Sequence, residues 1–146
     1  MFKGNVSCYN RGGFSSFRII PDDKKELTRA LNGITGFIIE VKRSVDINPR
    51  FKFQLTNESH MKSFNWQAGF YTEQKDTFEK IYLDIKDFWP NLFGHVLSKP
   101  GNINMAKVDC LGFMISHVTV DGKKNPDFKE GEFDLAIKSV KFVYKS

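Results

Sequence analysis

Five side chains have the types that recognise a planar or hydroxylated ligand: Arg18, Gln54, Gln67, Tyr71 and Ser116. Each stands in a stretch where apolar and polar residues alternate. Arg18 lies between Phe17 and Ile19, Gln54 between Phe53 and Leu55, and Gln67 between Trp66 and Ala68; Tyr71 follows Phe70, and Ser116 follows Ile115. Successive side chains of a strand point to opposite faces. All five therefore belong to faces opposite the apolar ones, with Phe14, Ser16, Lys52, Thr56, Asn65, Cys110, Gly112 and Met114. A merely solvated sheet would carry more lysine and glutamate. Amides, a guanidinium and a ring can tie neighbouring strands together, hold a partner's backbone, or bind a sugar, with planar donors on its hydroxyls and the ring on its apolar face. Buried polar groups must be hydrogen-bonded, which puts the internal network first among the three.

The remaining chemistry-bearing residues do not assemble into a catalytic set. His60, His95 and His117 are far apart, and none has a metal-ligand neighbour at i+2 or i+4. The stretch DGKKNPDFKEGE (121–132) is spaced like a calcium loop but has Lys123 at its third position and Pro126 at its sixth, where a glycine belongs. It reads as a long exposed hairpin connection with Gly122, Asn125, Pro126 and Gly131 as turn residues. The pairs Asp22–Asp23 and Glu130–Glu132 fall in polar loops. No glycine-rich phosphate loop and no G-x-S-x-G is present. Cys8 and Cys110 lack metal-ligand spacing and read as buried free thiols. No enzyme activity, cofactor or metal is expected. The net charge of +5 comes mostly from lysines scattered along the chain. Nucleic-acid sites cluster arginine with exposed aromatics, so no nucleic-acid partner is expected either. One apolar stretch is unusual for a connection: DFWPNLFG, with Phe88, Trp89, Leu92 and Phe93. It is either a lid over the core or, exposed, a docking loop for a protein partner.

The elements that must position these residues are mostly strands. Period-two alternation places strands near 2–9, 13–20, 36–43, 50–57, 63–72, 77–85, 108–117 and 132–144. A short helix is expected over 22–31 and an irregular segment over 85–94, ended by Pro90 and Gly94. The fold class is all-β, a jelly-roll β-sandwich of about eight strands, read as a single domain over residues 1–146. The expected core is Phe37, Ile39, Val41, Phe51, Phe53, Leu55, Phe64, Trp66, Ala68, Phe70, Ile81, Leu83, Ile85, Leu111, Phe113 and Ile115. In the last strand the apolar parity switches from Phe133, Leu135 and Ile137 to Val140, Phe142 and Tyr144. That switch predicts a bulge or bend near Lys138–Ser139, of the kind that lets one strand serve two sheets. No apolar run approaches the ~20 residues of a membrane helix. The opening MFKGNVSCY reads as a strand, without the pattern of a secretory signal or transit peptide.

The order of these pieces resembles the complex I intermediate-associated protein 30 family. FKGNVSCYNRGGFSSFR is similar to that family's F-x-G-N-V strand, glycine turn and G-F/Y-x-S-x-R strand. GFIIEVKRSVDINPRFKFQLTN resembles its next hairpin, with SVDINP in place of a G-D-G turn, and FNWQAGFYT resembles its Y-Q-x-x-F strand. FEKIYLDIKDFWPNLFGHVL, VDCLGFMIS and GEFDLAIKSVKFV follow in family order, with LFGHVL where the family has R-G-R. The resemblance implies a galactose-binding-like domain. It implies a chaperone, or retained accessory subunit, of a membrane-bound electron-transfer complex, with respiratory complex I first and a plastid photosynthetic complex as the alternative. The implied partners are protein subunits of that complex. The implied place is peripheral to an organellar membrane, in the mitochondrial matrix or else the plastid. Family domains usually begin with a further strand before F-x-G-N, and were it absent from the protein, one sheet edge would stay open for strand pairing. The rival class from the residues alone is a carbohydrate-binding module.

Overall fold

The computed structural model describes residues 2–6, 14–19, 23–56, 64–92, 95–96, 103, 105–116, 118–126 and 131–145, with backbone alone at 2–6, 14–19, 24, 64, 92, 95–96, 106 and 131–133. Among the described residues ten strands are formed: β1 (Phe2–Val6), β2 (Phe14–Ile19), β3 (Ile34–Arg43), β4 (Phe51–Thr56), β5 (Phe64–Phe70), β6 (Glu79–Asp84), β7 (Trp89–Leu92), β8 (His95–Val96), β9 (Cys110–Ser116) and β10 (Gly131–Tyr144). One helix, α1 (Lys24–Ala30), joins them. The strands make a four-stranded sheet in the order β1-β10-β3-β6 and a six-stranded sheet in the order β2-β9-β4-β5-β7-β8. Every pairing between these strands is antiparallel, as expected of a jelly-roll sandwich.

The apolar parity decides which faces meet. Phe37, Ile39 and Val41 of β3 are fully buried, as are Phe51, Phe53 and Leu55 of β4 and Phe113 and Ile115 of β9. Phenylalanines bridge the sheets. The Phe37 ring lies 5.0 Å from that of Phe53 across the sheets, edge to face, and Phe53 lies 5.2 Å from its neighbour in the same sheet, Phe113. Such contacts add about 0.5–1.5 kcal/mol each beyond area burial. Ile81 and Ile85 are only partly buried against this core, because β6 is an edge strand. Phe64 and Phe133 have side chains outside the described set.

Asp23 caps α1, its side chain accepting from the amides of Lys25 (3.0 Å) and Glu26 (3.2 Å). Leu27 and Leu31 turn the inner face of the helix to the core. In β10 the register slips between Ile137, opposite Val41, and Ser139, opposite Glu40. Lys138 is the extra residue, and the bulge lets Leu135 and Phe142 both face inward despite opposite parity. The strand does not change sheets, however. Gly131–Leu135 pairs with β1 and Leu135–Tyr144 with β3, all within the four-stranded sheet.

One expectation is corrected: the stretch 85–94 is not simply irregular. Residues Ile85–Asp87 form one 3₁₀ turn, started by the Asp84 side chain accepting from the Lys86 amide at 2.9 Å. Then β7 pairs with β5, placing Pro90 opposite Trp66. Among the described residues β8 pairs only with Asn91 and Leu92, so no ladder bond to β8 is asked of Pro90, which has no N–H to give. Phe88 is fully buried, with its ring 5.9 Å from Phe37 and 6.2 Å from Phe53. It is part of the core, and its ring is not exposed for docking.

Candidate functional site

The strand registers bring three of the five expected polar residues, Arg18, Gln54 and Gln67, into one row. Arg18 lies opposite Gly112, Gly112 opposite Gln54, Gln54 opposite Gln67, and Gln67 opposite Trp89. This row crosses the outer face of the six-stranded sheet. The Arg18 side chain lies outside the described residues, as do those of Leu92, Phe93 and Cys8. Gln54 and Gln67 are buried, and both turn their amide nitrogens to the thioether of Met114, at 2.9 and 3.9 Å. A thioether is a weak acceptor. The Gln67 Oε1 is buried and accepts no hydrogen bond among the described residues.

The next row outward contains Ser16, Met114, Lys52 and Gly69. Lys52 is only 4% exposed. Its Nζ donates to Ser116 Oγ at 2.9 Å, and Ser116 Oγ donates to the Val118 carbonyl at 2.8 Å. Burial pushes the lysine down from 10.5 to about 8, since removal from water disfavours the charged form. Beyond this row stand Arg50 and Tyr71. The Arg50 guanidinium lies 3.9 Å from the centre of the Tyr71 ring, and Tyr71 is 44% exposed. The expected site residues thus divide by depth: Gln54, Gln67 and Ser116 form a buried floor, and Tyr71 an exposed wall.

The segment after β9 builds the opposite wall. Thr119 N–H donates to the Lys123 carbonyl at 2.8 Å, and Gly122 at φ 83° closes the three-residue turn between them. The expected long exposed connection is corrected at Asn125. This residue is 1% exposed and clamps the segment to the sheet. Its Oδ1 accepts from the Arg50 amide at 2.7 Å, and its Nδ2 donates to the carbonyls of Arg50 and Ser116, both at 2.8 Å. Val120 then leans over Gly69, where a Cβ would meet it at 3.5 Å. Between the walls lies a cavity of about 430 Å³ lined by Arg50, Lys52, Gly69, Tyr71, Trp89 and Val120, among others.

Sequence reasoning missed Lys52, Arg50 and Trp89 as members of one site. Lys52 was legible as an outward residue of its strand, but its burial depends on what packs above it. Trp89 shares the face only because β7 joins the sheet. Among the described residues no group of three or more His, Cys, Asp and Glu side chains could hold a metal ion. Cys110 is buried, its thiol donating to the Leu111 carbonyl at 3.5 Å. No helix among the described residues is long and apolar enough to cross a membrane.

The two-sheet antiparallel sandwich has counterparts among solved structures. It is similar to a family 11 carbohydrate-binding module from Clostridium thermocellum, solved with a β-1,3-1,4-mixed-linked tetrasaccharide, at TM-score 0.54 and 12% identity over 98% of this chain and 82% of that one. It is equally similar to the family 11 module of a cellulosomal cellulase of the same organism, at TM-score 0.54 and 14% identity over 99% and 81% of the two chains. At these identities the likeness establishes the fold alone. No curated protein matches the chain. The family model of complex I intermediate-associated protein 30 matches residues 1–137. The chain belongs to that family.

Proposed function

We propose that the protein is a non-enzymatic interaction domain that serves as an assembly factor, or retained accessory subunit, of a membrane-bound electron-transfer complex, respiratory complex I in the first place. The observation that carries this reading is the family match over residues 1–137. Its partners are protein subunits of that complex, and it acts peripherally, in the mitochondrial matrix or, as the alternative, in a plastid. Docking uses the outer face of the six-stranded sheet, where exposed Tyr71 and half-exposed Trp89 flank the polar floor. Aromatic side chains beside buried polar groups are common anchors of such contacts. The test is affinity capture from detergent-solubilised organelle membranes with the wild-type chain and a folded Trp89→Ala variant. Enrichment of complex I subunits that falls in the variant supports the reading. No enrichment over an unrelated β-sandwich sinks it, and unchanged enrichment by the variant moves docking elsewhere.

A second reading is favoured by one observation, the amide-and-aromatic face on a fold shared with carbohydrate-binding modules. It predicts millimolar-to-micromolar sugar binding that Tyr71→Ala abolishes. A blank glycan array with folded protein removes it.

A further inference from the structure

The cavity on the outer face is basic and has an apolar rim. Among the described residues its lining contains four basic side chains, Arg50, Lys52, Lys123 and Lys124, against a single carboxylate, Asp121. That carboxylate is already engaged, by the Thr119 hydroxyl and, at 3.7 Å, by Lys123. Lys52 is the deepest of the four. Its one partner among the described residues is the neutral hydroxyl of Ser116, so an ammonium with three donors uses one of them. A buried cation without a counter-charge destabilises a fold unless something supplies the charge. The cavity that could supply it adjoins the lysine: Lys52 is paired across the sheet with Gly69, which has no side chain, and both line the cavity beneath Val120.

We propose that this cavity binds a small organic carboxylate, its anionic group on Lys52 Nζ and its apolar body among Tyr71, Trp89 and Val120. Two features select a carboxylate over a phosphate. The Ser116 hydroxyl spends its proton on the Val118 carbonyl, so it offers an incoming anion no donor. The two remaining Lys52 donors match the two oxygens of a monoanion, whereas a phosphate dianion needs more. The volume, about 430 Å³, lies within the roughly 300–1,000 Å³ of small-molecule sites. Arg50, held against Tyr71 and pinned through its backbone by Asn125, sits at the rim as a steering charge. This inference stands on the cavity itself and survives if the docking reading fails.

The test uses the full chain and calorimetric titration at pH 7 with benzoate, its neutral counterpart benzamide, inorganic phosphate, and a blocked peptide carrying one glutamate. Benzoate is expected to bind at least ~10-fold more tightly than benzamide, a preference Lys52→Met removes. Gly69→Leu, which keeps the lysine but fills the space, is expected to weaken benzoate by a similar factor. Tighter binding of the peptide than of benzoate supports the site and assigns its carboxylate to a partner chain. Weaker binding supports it and assigns the ligand to small molecules. Equal binding of benzoate and benzamide, tighter binding of phosphate than of benzoate, benzoate binding that survives both variants, or none by folded wild type up to about 20 mM each overturns the proposal.

Discussion

Replacing Lys52 by methionine should make the protein more stable near neutral pH, and the gain should vanish in alkali. Burial lowers the lysine from 10.5 to about 8. Below pH 8 it is charged in both the folded and the unfolded chain, and holding that charge in the folded state costs about 3 kcal/mol at 1.36 kcal/mol per pH unit. Methionine keeps the length and apolar stem and removes the charge. It also removes the 2.9 Å hydrogen bond to Ser116, a loss of about 1 kcal/mol. The net expectation at pH 7 is a gain of about 2 kcal/mol. Between pH 8 and 10.5 the folded wild-type chain has released this proton while the unfolded chain still holds it. The unfolded state then binds more protons, so wild-type stability rises with pH. The advantage of Lys52→Met therefore shrinks through that window and reverses slightly above it. The assay is urea denaturation of both chains at pH 7 and at pH 10.5, comparing differences so that tyrosines and other lysines cancel. A variant no more stable than wild type at pH 7, or a difference that does not change with pH, refutes the account of Lys52 as a buried, uncompensated cation.

Other perturbations test the scaffold. Asn125→Ala removes three hydrogen bonds from a buried side chain and unclamps the wall of the cavity. It should cost about 2–3 kcal/mol in urea titration and sharpen proteolysis within 118–126. Phe88→Ala should cost about 3–5 kcal/mol, since the ring is fully buried against Phe37 and Phe53. Gly36→Ala should cost about 1–3 kcal/mol, because a Cβ there comes within 2.6 Å of the Leu83 carbonyl and of the Tyr82 hydroxyl. Tyr82→Ala is expected to restore only part of that loss in thermal unfolding, since the backbone clash remains.

Period-two alternation alone determined the sandwich. Phe37, Ile39, Val41, Phe51, Phe53, Leu55, Leu111, Phe113 and Ile115 face inward as their parity requires, because a strand gives each side chain only two directions. The bulge at Lys138 was legible for the same reason: Leu135 and Phe142 cannot share a face without an extra residue between them. The short strands β7 and β8 were not legible, because Pro90 and Gly94 mask any alternation and the pairing is supplied by β5. The site was legible only in its parts. The polar parity named Gln54, Gln67, Tyr71 and Ser116, but strand order is a long-range property, and only the sheet places Arg18, Gln54, Gln67 and Trp89 in one row. Whether an outward residue meets water or protein depends on what folds above it. Asn125, a turn residue by its type, is the clamp that holds the segment after β9 over the sheet and walls the cavity in which Lys52 stands. That contact joins residues 75 positions apart, and no local pattern encodes it.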